Sequence, residues 1–127
     1  KKIIASPHAP KAVGPYSQAV EAGGALYVSG QLPIAGATQK MADAAALTNL
    51  RHILEEAGYT LGDVAKTTVL LQDIGDFAAM NAVYAGFFTS GMPARVCYQV
   101  AALPMGALVE IDAVAAKSRC RTSRPQQ

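Results

Sequence analysis

Several short stretches of the chain alternate apolar and polar residues with a period of two. Two longer ones repeat their apolar residues at helical spacing. Ile3-Ile4-Ala5-Ser6 predicts a short strand, followed by a Pro-containing loop through Pro15. Tyr16 to Glu21 and Ala25 to Gly30 predict two strands joined by Ala22-Gly23-Gly24, where glycine accepts the positive φ that a hairpin turn needs. Leu32 to Lys40 predicts a loop. Asp43 to Ala57 predicts a helix, with Leu47, Leu50, Leu54 and Ala57 along one stripe, Asp43 as N-cap and Gly58 just beyond the last turn. Val64 to Gln72 is rich in β-branched residues and predicts a strand. Asp76 is expected to cap a second helix, Phe77 to Phe88, with Phe77, Met80, Tyr84, Phe87 and Phe88 near one face. Arg95 to Ala101 and Ala107 to Ala116 predict the last two strands, joined through Leu103-Pro104-Met105-Gly106.

This order predicts an α+β fold, a two-layer sandwich of about six strands with both helices on one face of a mixed sheet. The strand pattern leaves the other face without a cover. In Val64 to Gln72 the two faces carry Ala65, Thr67, Val69, Leu71 and Lys66, Thr68, Leu70, Gln72, and Ala107 to Ala116 is apolar on both faces except for Glu110 and Asp112. So few charges on a face without helices predict burial against another subunit.

Composition narrows the picture. The 127 residues suffice for one domain, and 51% are hydrophobic but only 6% aromatic, with 25 alanines, so the core is built from small side chains. The net charge of +2 is unevenly spread. Lys117, Arg119, Arg121 and Arg124 lie in the last eleven residues, which leaves seven basic and nine acidic groups in residues 1–116. We therefore expect a domain over 1–116 followed by a basic tail, 117–127. A slightly acidic body argues against a dedicated nucleic-acid-binding surface. No apolar run reaches the roughly 18 residues of a membrane span, and no secretory signal is visible. With two cysteines, Cys97 and Cys120, and two distant histidines, His8 and His52, neither a disulfide framework nor metal-ligand spacing is present. We expect a reducing compartment and no metal. Glycine-rich phosphate loops and nucleophile elbows are missing, which weighs against phosphoryl transfer, dinucleotide chemistry and serine hydrolysis.

Two residues stand out against their surroundings. Arg95 opens a strand whose alternation sends Arg95, Cys97 and Gln99 to one face and Val96, Tyr98 and Val100 to the other. It either snorkels at the sheet edge or binds an anion, for which its planar fork suits a carboxylate. Glu110 sits in an apolar strand beside Asp112 and needs a partner, failing which its pKa rises. It is either paired structurally, with Arg95 or Lys66, or serves as a general base or water-orienting group. Cys97 reads as a small buried hydrophobe, and Asn81 as a helix-surface residue. Ser29 beside Gly30, and Tyr16 after Gly14-Pro15, are unremarkable taken singly.

Taken together, these segments resemble the RidA family, the reactive intermediate deaminases also called YjgF. The matching pieces are Gly14-Pro-Tyr-Ser-Gln-Ala19, Val28-Ser-Gly-Gln-Leu-Pro33, Asn49-Leu-Arg-His-Ile-Leu54 with Glu56-Ala-Gly58, and Asp76-Phe-Ala-Ala-Met-Asn81 with Val83-Tyr84. The most specific runs from Pro93-Ala-Arg95 through Val100-Ala-Ala-Leu-Pro104 to Leu108-Val-Glu-Ile-Asp112. The resemblance covers about residues 2 to 116. It implies a chorismate-mutase-like fold, a homotrimer with its sheets inward, and sites in the clefts between subunits. It also implies cofactor-free hydrolysis of 2-imino acids and their enamines, such as 2-iminobutanoate and 2-iminopropanoate, to 2-keto acids and ammonia. By position, Arg95 resembles the family's carboxylate-binding arginine and Glu110 its water-placing glutamate. Cys97 resembles a site residue contributing backbone contacts, and Tyr16, Ser29 and Gly30 match further substrate-binding positions. Departures are a shortened loop from Ala35 to Met41, a shortened region before Pro93, Met105 where lysine is more usual, and the tail from Lys117.

Composition and charge lead us to expect the cytoplasm, or a mitochondrion, with neither membrane nor nucleic acid as partner, and the resemblance implies a small imino or keto acid as substrate. Family members have also been described as ribonucleases, translation inhibitors and chaperone-like proteins. A carboxylate-binding module without turnover is a further alternative, which Glu110 is the residue to separate.

Overall fold

The three central strands of the sheet share one parity: small or branched apolar residues on one side, mixed residues on the other. The computed structural model describes residues 1–35, 40–41 and 44–117. Among these residues, eight strands and two α-helices follow in the order β1 (Lys2–Ile4), β2 (Ala19–Ala22), β3 (Ala25–Gln31), β4 (Ile34–Ala35), β5 (Lys40–Met41), α1 (Ala45–Glu56), β6 (Val64–Leu71), α2 (Phe77–Phe87), β7 (Ala94–Gln99) and β8 (Val109–Ala116). Six strands form one sheet in the order β1-β2-β3-β8-β6-β7, parallel between β6 and β7 and antiparallel elsewhere. The predicted mixed six-stranded α+β architecture is therefore present.

The core lies between the sheet and α1. Leu50, Ile53 and Leu54 of α1 are fully buried, against Leu26 of β3, Val69 and Leu71 of β6, and Ile111, Ala113 and Ala115 of β8. Alternation does the rest: Tyr27, Val96 and Tyr98 are about half exposed on the opposite face, which neither described α-helix covers. The hairpin glycines Gly23 and Gly24 have φ of 60° and 82°, and Gly58 leaves α1 at φ 82°, as the turn arguments require.

Several boundaries differ from expectation. The first hairpin's ladder begins at Ala19 rather than Tyr16, because Gln18 turns its amide into the preceding loop, accepting from Ser6 N–H at 2.6 Å and donating to Pro10 O at 2.8 Å. The expected loop from Leu32 to Lys40 contains a two-residue pairing of β4 with β5. Asp76 occupies the N-cap of α2 without a side-chain hydrogen bond. Asp73 instead accepts from Gly75 N–H at 2.8 Å and organises the turn that leads into the helix. The Asp43 cap, most of the shortened loop from Ala35 to Met41, Cys120 and the tail beyond Lys117 lie outside the described residues.

Candidate functional site

The register separates the six predicted site residues into two groups. Glu110 of β8 stands opposite Leu70 of β6, which stands opposite Tyr98 of β7. That row faces the bare side of the sheet. Arg95 is in register with Thr67, and Thr67 with Ala113. That row faces the helices. Within one chain, Arg95 and Glu110 thus occupy opposite faces, and the structural pairing of Glu110 with Arg95 considered from sequence is ruled out. Lys66 shares the face of Glu110 but sits in the row of Val114, four residues further along β8. Neither cation satisfies Glu110.

The first group gathers at an irregularity in β3. Between Val28 and Gln31 the strand carries one residue more than β8 opposite. A bulge of this kind bends the strand and re-aims its side chains. The Glu110 side chain lies directly over Gly30: a β-carbon there would overlap its carboxylate and stand 2.8 Å from Cδ. Only glycine admits the carboxylate at this spot. The Ser29 hydroxyl donates to Ser17 O at 2.6 Å, which commits its proton and leaves its lone pairs to accept. Tyr16 Oη accepts from Val13 N–H at 3.3 Å, folding the segment from Val13 to Tyr16 on itself. Tyr16, Ser29, Gly30 and Glu110 together line an open cleft of about 390 Å³, with Lys11, Val13, Leu32 and Met105 among its other walls. Met105 reaches this wall from a left-handed backbone, φ 57°.

Glu110 is half-buried, and burial, then the charge of Asp112, raises its pKa above the ordinary carboxylate value. Among the described residues, no hydrogen bond reaches its carboxylate.

The second group lies on β7, at the edge of the sheet. Arg95 is half-buried beneath α2. Its Nη1–H donates to Asn81 Oδ1 at 2.7 Å, and its guanidinium carbon stands 4.9 Å from the Tyr84 ring centre and 5.5 Å from that of Phe77. Phe77, Asn81 and Tyr84 are four and three residues apart, the spacing that puts three side chains on one helix face. Among the described residues, the only acceptors for Arg95 are Asn81 Oδ1 and, at 4.0 Å, Met80 Sδ. Most of its N–H groups are therefore unclaimed. Cys97, two residues on and on the same face, has its thiol pushed up by burial, against a smaller lowering from Arg95. The expected burial of Cys97 is only partly met: the side chain is half-buried, because β7 is the edge strand of the sheet.

Asn81 is the residue that sequence reasoning misplaced. It is an acceptor for Arg95 rather than a plain surface group, and its spacing from Phe77 and Tyr84 was the available signal. Asn49, between Leu47 and Leu50 on the apolar stripe, is 3% exposed and donates to Leu32 O at 3.1 Å and Ile34 O at 2.8 Å, which pins the segment running into the cleft wall. A larger apolar cavity of about 460 Å³ between α1 and α2 holds none of the predicted site residues, and among the described residues lining it the one titratable side chain is Asp76. Among the described residues, no group of three metal-ligating side chains occurs, and no helix is long and apolar enough to cross a membrane.

The comparisons with known proteins agree with this architecture. A relative named RutC family protein y4sK, from Sinorhizobium fredii, is 54% identical over 118 residues, covering 87% of this chain and 94% of its own. The protein named 2-iminobutanoate/2-iminopropanoate deaminase from the goat, Capra hircus, is 45% identical over 130 residues, covering 97% and 95%. Among solved structures, that of Escherichia coli TdcF with bound serine superposes with a TM-score of 0.88 at 41% identity, covering 93% of this chain and all of the other. The family model described as endoribonuclease L-PSP matches residues 6–117, and the chain belongs to that family, the RidA/YjgF family.

Proposed function

We propose that the protein is a hydrolytic deaminase of small 2-imino acids and their enamines, with 2-iminobutanoate and 2-iminopropanoate as substrates. The observation that carries this reading is Arg95: a guanidinium held by two rings and an amide, with its remaining donors unclaimed, suits one planar carboxylate. The naming of relatives as 2-iminobutanoate/2-iminopropanoate deaminases supports the same chemistry. Arg95 fixes the substrate carboxylate. Glu110 orients a water and takes its proton as oxygen adds to the imine carbon. Glu110 returns that proton to nitrogen to give the carbinolamine, whose hydroxyl proton then passes to the same nitrogen as the C–N bond breaks, leaving the keto group and ammonia. Tyr16, Ser29 and Gly30 shape the pocket, Ser29 as an acceptor, and Cys97 contributes backbone. Imines hydrolyse in water unaided, so a modest barrier reduction suffices, each tenfold amounting to about 1.4 kcal/mol.

In this reading one chain cannot complete a site, because Arg95 and Glu110 are on opposite faces. The site forms between copies, the edge strand β7 of one meeting the cleft of the next, in a homotrimer whose bare sheet faces turn inward. The lack of helix cover over Tyr27, Val96 and Tyr98 favours such an assembly. The basic segment beyond residue 116 is not needed for it.

The test generates 2-iminobutanoate with a threonine dehydratase and traps it with semicarbazide. The protein is expected to reduce trapping, and Arg95→Ala and Glu110→Gln to abolish that reduction. Mixing the two inactive variants during refolding should then restore activity, with roughly a quarter of the shared sites rebuilt by random assortment. Undiminished trapping with the wild type, or full activity in Arg95→Ala, overturns the assignment. An RNA-cleaving activity that survived both substitutions would favour the other description attached to the family.

A further inference from the structure

The arginine rests on a second layer that the proposed reaction does not itself use. Thr67 lies directly across from Arg95 in the β6–β7 pairing and has no exposed surface. Its Oγ1 is 2.8 Å from Tyr84 Oη, a buried pair of hydroxyls in which each group is the other's partner. The Tyr84 ring spans the gap between them: its hydroxyl is tied to β6, while its face supports the Arg95 guanidinium. Phe88, one turn along, packs against the same ring at a 4.6 Å centroid distance and a 37° tilt. The ring is thus fixed at its tip and along its side. Freeing it would strand two buried hydroxyls, which is costly.

We propose that Tyr84, anchored by Thr67, is a positioning residue for Arg95. Together they set the direction in which the unclaimed guanidinium N–H groups meet a carboxylate. Without the Tyr84 ring, Arg95 would keep one short hydrogen bond, to Asn81, and looser contacts with Met80 Sδ at 4.0 Å and the Phe77 ring at 5.5 Å, about which the guanidinium can still turn. A ring against its face stops that turning, and the ring's own direction is set by the strand that also carries the arginine's neighbour. The inference rests on the carboxylate-binding reading of Arg95, but the geometry of the support can be tested separately.

Two measurements distinguish the possibilities. Nitrogen-15 NMR of the Arg95 guanidinium should show resolved, slowly rotating N–H groups in the wild type. These should broaden and merge in Tyr84→Phe and in Thr67→Val, each of which keeps the side-chain shape, removes the bond and leaves the other hydroxyl without its partner. The Kd for 2-oxobutanoate, the keto acid product, should rise about threefold in either variant and no further in the double variant, since both remove the same bond. In an Arg95→Ala background the Tyr84→Phe substitution should leave residual binding unchanged. A freely rotating wild-type guanidinium, or variants that leave its spectrum unaltered, overturns the positioning role whatever the activity. A Tyr84→Phe effect of equal size without Arg95 overturns it too, because a merely structural role would persist there. If the guanidinium spectrum behaves as expected but imine trapping is undiminished, the support stands and the deaminase reading fails.

Discussion

The two helices of this chain do different work. Helix α1 buries seven of its twelve residues and closes a core in which Leu26, Leu50, Ile53, Leu54 and Ala115 are fully enclosed. Helix α2 buries only Tyr84, and its neighbouring strand β7 has no buried residue at all. Stability is concentrated where small apolar side chains interdigitate between α1 and the β3–β8–β6 strands. The α2–β7 side adds Tyr84 and Phe88 to that same core and turns Phe77, Asn81 and the face of the Tyr84 ring toward one cation.

The contrast can be broken most directly at its strongest point. Leu54→Ala should cost about 2–5 kcal/mol in denaturant unfolding, since the rigid core cannot close over the cavity. Tyr98→Ala on β7 should cost a dispersed chain no more than about 0.5 kcal/mol and instead shift sedimentation toward smaller species. Comparable losses at the two sites would show that the α2–β7 half is as closed as the other.

Gly30→Ala has a smaller but more local effect. The new methyl group collides with the Glu110 carboxylate, and displacing it should cost about 1–3 kcal/mol and at least tenfold in imine turnover. Retained activity would mean that Glu110 acts from another position.

Tyr59→Phe tests the cored half. The Tyr59 hydroxyl donates to Glu21 Oε2 at 2.7 Å, and its loss should cost about 1 kcal/mol near neutrality. Burial, then Glu21, pushes this phenol up to about 12 from 10.0. The folded state therefore holds the proton more tightly than the unfolded chain. The associated stability is complete below pH 10.0, falls as pH rises towards about 12, and should be absent from the phenylalanine variant's alkaline unfolding curve.

The smallest effect is expected at Glu110. Its raised pKa means that ionising it in the fold costs stability as pH rises through the folded value. Glu110→Gln should therefore be slightly more stable than wild type at neutral pH, with the difference vanishing below the ordinary value of 4.5. In turnover the wild type should lose activity toward acid at a pH above that same 4.5, as Glu110 takes up its proton. Stability curves that coincide at every pH would show that Glu110 is not desolvated.

Much of this was legible from residue order. The stripe of Leu47, Leu50 and Leu54, the glycines at 23, 24 and 58, the alternation placing Arg95 with Cys97, and the bare face are local consequences of period and turn chemistry. The ladder's start at Ala19 was less legible, because a glutamine side chain bonding back to Ser6 and Pro10 leaves no periodic trace. Asp76 was credited with a cap because capping is read from residue type, whereas Asp73 holds the geometry. Asn81 was misread because its partner is fourteen residues away on another element.

Sequence alone determined the element types, the internal parity of each strand, and the two residues, Arg95 and Glu110, that are out of keeping with their surroundings. Tertiary structure alone decided that these two face opposite sides of the sheet, that Gly30 lies beneath the Glu110 carboxylate, and that Arg95 is held by Asn81 and Tyr84. The physical reason is that parity within a strand follows from its own backbone. The phase between strands is set by hydrogen bonds joining segments far apart in the chain, and a shift of one residue would turn every side chain over.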